Sequence, residues 1–188
     1  MASTAPKKGY SEVRVFAQDE SRIGLLPIVR HRITAQGVQP TIRSSYCFES
    51  FYLYGAVAPT TGESFFLELP YLNTETFQIF VDEFAKAFPH TLNLLLLDNG
   101  SFHKAEALQL TDNIVTIFFP PYAPELNPIE RLWRDIKDRL ARDLPDTLDE
   151  LSEWVAQIIN QYSTDDIRSL TGFSYLIKAI TSANVYLS

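Results

Sequence analysis

Apolar and polar residues alternate along EVRVFAQDES, residues 12 to 21, so that Val13, Val15, Ala17 and Asp19 fall on one face and Arg14, Phe16, Gln18 and Glu20 on the other. That period of two predicts a half-buried strand, with its two neighbouring acids on opposite sides of a sheet. Residues 24 to 44 are interrupted by Pro27, Gly37 and Pro40, which predicts irregular structure or a short hairpin. SFYLYGAVAP and ESFFLELP flank the turn signal PTTG and predict an antiparallel hairpin. The period then changes: Phe77, Phe80, Val81, Phe84 and Phe88 keep helical spacing after Asn73, a residue suited to an N-cap. LNLLLLDN and IVTIFFP are short continuous apolar runs, expected of strands covered on both faces.

Between those two runs a short helix is expected from about His103 to Leu110. After PPYAPELNP, Ile129, Leu132, Trp133, Ile136 and Leu140 form one apolar stripe of a helix from 128 to 142. Thr147 and Glu150 form a capping box for a helix from about 148 to 162, and DDIRSLTGFSYLIKAITSANVY predicts one more helical segment. Strand, hairpin, helix, strand, helix, strand, helix, helix is the order of an α/β protein, a mixed sheet flanked by helices.

Composition narrows the functional classes. At 188 residues, 46% of them hydrophobic, the chain is long enough for one domain with a sizeable core. Its polar start and short apolar runs, such as Leu94 to Leu97, predict neither a signal peptide nor a membrane anchor, and a cytoplasmic location. A single cysteine, Cys47, excludes an internal disulfide and a multi-thiolate zinc site. The formal charge of −7 argues against a stand-alone nucleic-acid binder, yet the basic residues bunch in SRIGLLPIVRHR and ERLWRDIKDRLAR, which leaves room for a local basic surface. No phosphate-binding glycine loop, dinucleotide fingerprint or serine elbow occurs.

Three carboxylates stand where elements end or begin. Asp19 lies on the first strand, Asp98 follows the run Leu94 to Leu97, and Glu130 falls in the first turn of a helix. Ligand crevices of open α/β sheets lie beyond the carboxyl ends of strands, which suits Asp98. Acids gathered there would call for hard cations such as magnesium, two of which can activate an attacking oxygen and stabilise a leaving one. Each acid also has a purely structural reading. Asp19 can end a strand, Asp98 in LDNG is turn chemistry, and Glu130 sits at N3 behind Asn127 and Pro128, where a glutamate reaches back to the cap. Arg134 and Lys137 border the same helix face as Glu130, as a phosphate site or as a surface ion pair. His103 either approaches Asp98 from the next helix, caps that helix or lies on the surface. Trp133 reads as an anchor of its helix to the sheet.

QDES after a strand, LLLLDNGSFHKA, and above all FPPYAPELNPIERLWRDIK resemble, in that order, the three acidic motifs of the DDE transposases of the Tc/mariner superfamily, in its bacterial insertion-sequence branch. The resemblance covers about residues 12 to 142. It implies a ribonuclease H-like fold with Asp19, Asp98 and Glu130 as catalytic and metal-binding residues, and magnesium or manganese, two ions, as cofactor. It implies hydrolysis of the phosphodiester at transposon ends and transfer of the freed 3'-hydroxyl to target DNA, often at TA. Arg22, Asn99, His103, Arg134 and Lys137 are the residues expected to contact DNA or to support the acids. Glu125 matches a non-catalytic acid of the motif.

Such transposases carry helix-turn-helix domains ahead of the catalytic part, whereas here about a dozen residues precede the first strand. The expected organisation is a flexible segment 1–11 and a catalytic domain 12–188. Its partners would be DNA, a helix-turn-helix polypeptide from an upstream frame and a second copy in a homodimer, in association with the bacterial nucleoid. Two other functions stay open at this point: a silent remnant or accessory subunit that binds protein, and a ribonuclease H-like nuclease acting on hybrids or junctions.

Overall fold

The computed structural model describes residues 10, 12–25, 49–100, 103, 107–121, 124–141 and 145–184. Five strands, β1 (Glu12–Gly24), β2 (Ser50–Val57), β3 (Ser64–Leu69), β4 (Thr91–Leu97) and β5 (Ile114–Phe118), form one sheet in the order β3-β2-β1-β4-β5. The hairpin half, β1 to β3, is antiparallel, while β4 and β5 continue the sheet parallel to β1. The first strand therefore stands at the centre, and the α/β expectation of a mixed sheet flanked by helices is met. The expected irregular segment at 24 to 44 lies mostly outside the described residues.

The alternation along β1 sorts the core into two layers. Ala17 and Ile23 look toward α2 (Ile129–Leu140) and α3 (Leu148–Asn160) and share a buried cluster with Leu132, Trp133 and Ile136. Phe16 looks the other way, into an aromatic cluster with Phe77, Phe80 and Phe84 of α1 (Thr74–Ala87). Asn73 caps α1 through a bond from the Thr76 amide at 2.9 Å, as its sequence position predicts. Beside α2, Leu176 and Ile180 of the last helix pack on Leu96 of β4.

Three local expectations need correction. The helix expected from about His103 to Leu110 does not extend over 107–110, which are turn and coil. The Gln78 side chain donates to the Gln109 carbonyl and accepts from its amide, both at 2.8 Å, so both of these peptide groups are withdrawn from a helical ladder. At α3 the Thr147 hydroxyl accepts from the Glu150 amide, but the Glu150 carboxylate accepts from the Asp146 amide rather than from that of Thr147, leaving the box half-made. The tail forms two helices, α4 (Thr164–Thr171) and α5 (Ser174–Asn184). They part at Gly172, whose amide closes on the Arg168 carbonyl; a Cβ there would meet that oxygen at 2.5 Å.

Candidate active site

The sheet brings two of the three acids level. β1 and β4 are parallel neighbours, paired from Glu12↔Thr91 to Ala17↔Leu96. The pairing ends two residues short of Asp19 and two short of Asp98, which stands just past the end of β4. The third acid arrives from the face of the sheet. Pro128, expected at the first helical position, is instead the N-cap of α2, with helical dihedrals (φ −67°, ψ −22°), so Glu130 stands one place earlier than the expected N3, in the first turn and exposed. Asn127 aims that turn: its Nδ2 donates to the Gln18 carbonyl at 2.9 Å, tying the helix start to the residue before Asp19. Its Oδ1 accepts from the Ile129 amide at 3.4 Å. Among the described residues the Glu130 carboxylate makes no hydrogen bond back to this cap, and Glu130 is near enough for its charge to act on Asp19.

Asp19 itself is held by an indole. Across the antiparallel pairing its neighbour is Gly55, where a Cβ would come within 2.5 Å of the Trp133 ring. The bare strand position admits the tryptophan against the sheet, and Trp133 Nε1 donates to Asp19 Oδ2 at 3.0 Å. Burial, followed by repulsion from Glu20 and Glu130, pushes the Asp19 carboxyl up to about 7, against the opposing help of the Trp133 bond and a backbone amide.

Asp98 is held differently. Its Oδ1 accepts from the Gly100 amide at 2.8 Å and stands 2.7 Å from Nδ1 of His103. The other imidazole nitrogen, Nε2, lies 3.1 Å from Oε1 of Glu20, which also accepts from Gln18 Nε2 at 2.8 Å. A neutral imidazole has a single N–H, so carboxylates at both nitrogens favour the imidazolium. Burial, the largest influence, pulls the His103 pKa down, but the bond and charge of Glu20 and then Asp98 outweigh it and raise it above its ordinary value.

The expected DNA contacts divide. Arg134 is exposed one turn beyond Glu130, Lys137 is half-buried further along the same helix, and Arg22 is exposed on the Glu20 side of β1, its Nε donating to Ser50 Oγ at 3.0 Å. Asn99 donates to the Phe119 carbonyl at 2.6 Å, and the His103 side chain has no exposed surface, so both spend polar atoms inside the protein. Gln18, Glu20 and Gly55 were not singled out from sequence as parts of a site. The glycine in the aromatic run SFYLYGAV carried the one local signal, since a glycine inside a strand often marks a close approach.

A family model described as DDE superfamily endonuclease matches residues 14–152, a span that includes all three acids. The chain belongs to the DDE superfamily of endonucleases. Among its relatives, this DDE protein is 38% identical over 88 residues to the "Uncharacterized protein y4pE/y4sA" of Sinorhizobium fredii (strain NBRC 101917 / NGR234), covering 46% of this chain and 65% of that one. It is 27% identical over 138 residues to the "Insertion element IS630 uncharacterized 39 kDa protein" of Shigella sonnei, covering 71% of this chain and 40% of that one. The second of these is named for an insertion element, the type read from the motifs. Solved structures of the same fold include the Mos1 mariner paired end complex with Mn (TM-score 0.69) and the Mos1 strand transfer complex (0.68), each 18% identical over 84% of this chain. They share with it the ribonuclease H-like arrangement of sheet and helices. The DDE chain spans about half the length of those solved chains and less than two thirds of either relative. Among the described residues no helix is long and apolar enough to cross a membrane.

Proposed function

We propose that the chain is the catalytic domain of an insertion-element transposase, a metal-dependent DNA endonuclease that also transfers the cut strand to target DNA. What supports this reading most is the placement of Asp19 within reach of the charge of Glu130, with Asp98 just past the end of the neighbouring β4 and the Asp19 carboxyl driven up to about 7, by burial first. A buried carboxyl raised in this way, with two further acids near it, lacks a positive charge. Among the described residues no three acids or imidazoles are grouped tightly enough to hold an ion as they stand. The donors nonetheless fit magnesium or manganese in kind: three carboxylates, one fixed by an indole N–H, one by a backbone amide and one open to solvent. In this proposal Asp19, Asp98 and Glu130 hold the ions, which when bound would polarise the phosphodiester and its attacking oxygen.

The chain's own residues then supply position and charge. Trp133 keeps Asp19 from turning, Asn127 keeps the start of α2 against β1, and Arg134 and Lys137 offer cations to DNA phosphates beside Glu130. Arg22, on the other sheet face, would meet a different part of the DNA. The substrates proposed are transposon ends and a target such as TA, with a helix-turn-helix polypeptide or a second copy supplying end recognition. Incubation of the purified chain with supercoiled DNA and Mn2+ should produce nicks, and Asp98→Asn should abolish them. Nicking retained by Asp98→Asn would sink the assignment.

A further inference from the structure

Asp98 is the more exposed of the two acids carried by the sheet. It follows the end of β4, and its side chain is 55% exposed, yet a ligand must present its oxygen in a narrow range of directions. Behind it runs a chain of buried polar groups with no part in the reaction proposed so far: Gln18 to Glu20, Glu20 to His103, His103 to Asp98. The His103 side chain has no exposed surface and Glu20 only 5%. The imidazole packs on the Phe77 ring at 4.5 Å, in an aromatic layer that an apolar side chain would fill as well. Burying two ionisable groups there is costly unless each finds a partner, and packing alone gives no reason for the choice.

The direction of the chain supplies one. It starts on the α1 side of β1, the face turned away from Asp19, and ends on Oδ1 of Asp98, the oxygen that also takes the Gly100 amide. Among the described residues nothing holds Oδ2. We infer that His103, backed by Glu20, is a positioning residue that pins one oxygen of Asp98 so that the other faces the metal site. The inference rests on the proposed role of Asp98 as a metal ligand.

Mn2+ binding to the 188-residue chain, followed by the EPR signal of the free ion, tests it, with thermal melting of each variant in parallel. Asp98→Asn should weaken binding. His103→Leu should weaken it about 10- to 100-fold, as loss of a partner behind a ligand does, and should add nothing in the Asp98→Asn background, because its effect passes through Asp98. Glu20→Gln should give a smaller loss in the same direction; no loss removes Glu20 from the assignment. Wild-type affinity in folded His103→Leu, or an equal loss in both backgrounds, overturns the inference and leaves the metal reading intact. Wild-type affinity in Asp98→Asn overturns that reading itself. Should His103→Leu fail to fold, His103→Gln, which keeps a donor and much of the volume, is expected to bind with intermediate affinity, and unchanged affinity there overturns the inference.

Discussion

Asp19 pairs two opposed demands in one side chain. The carboxylate has to be ionised to ligate a cation, yet burial and the charges of Glu20 and Glu130 push its pKa up to about 7 in the metal-free protein. The folded chain thus keeps a proton that the unfolded chain releases near pH 4, so stability falls as pH rises between about 4 and 7 and the full penalty is present above 7. Asp19→Asn removes the charge and keeps an oxygen for the Trp133 N–H. At pH 8 in EDTA the variant should melt about 3–6 °C above the wild type, with the gain shrinking below pH 7 and gone near pH 4. Magnesium should raise the melting temperature of the wild type and leave that of Asp19→Asn nearly unchanged. A variant less stable than the wild type at pH 8 would show that the charged indole bond, rather than burial and repulsion, dominates this position. In the sequence Asp19 was readable as an acid on a strand, and alternation separated it from Glu20. The same alternation gave no sign that Glu20 would reach His103, 83 positions away, behind the second acid.

At the scale of elements, the aim of α2 decides where Glu130 goes. An apolar stripe from Ile129 to Leu140 sets which side of the helix is buried, but it does not fix how far the first turn slides along the sheet. Asn127 does, through its bond to the Gln18 carbonyl and its Oδ1, which accepts from the Ile129 amide. Asn127→Ala should cost about 2 kcal/mol from the lost side-chain bonds and the orphaned Gln18 carbonyl, read as a fall of about 4–8 °C in melting temperature. Nicking measured well below that temperature should fall further than the stability loss accounts for, since Glu130 would lose its register with Asp19. Nicking that merely follows the folded fraction would leave Asn127 a purely structural residue. The elements were legible wherever a short-range signal governs them: β1 follows its alternation, β2 and β3 their β-rich runs around a turn, β4 and β5 their continuous apolar runs, and α1 and α2 their apolar stripes. The missing helix at 107–110 was not, because the Gln78 side chain that takes up Gln109 stands 31 positions away. The break at Gly172 was masked for the opposite reason, an apolar pattern continuous enough to carry a helix across a glycine placed there for its close approach to Arg168.

For the molecule as a whole, the difficulty is an acidic protein whose proposed substrate is a polyanion. A formal charge of −7 repels DNA at long range, and three of the carboxylates behind it sit in the site. Affinity must then come from bound cations and from the placement of a few basic side chains rather than from net charge. Arg134 and Lys137 are the best placed of these, on the helix that carries Glu130, and among the described residues neither makes an ion pair that would have to be broken. If both touch phosphate, the double variant Arg134→Gln, Lys137→Gln should bind duplex DNA more weakly. The slope of log K against log salt should become shallower by about 1.8, the release of two counterions' worth of screening. Filter binding in Ca2+ across 50 to 200 mM KCl would measure both quantities without cleavage. Arg22→Gln, on the opposite sheet face, should leave the slope within about 1 of the wild type if it meets at most one phosphate. An unchanged slope in the double variant would move the DNA path off α2, and the basic side of the interface would then have to be sought on the Arg22 face.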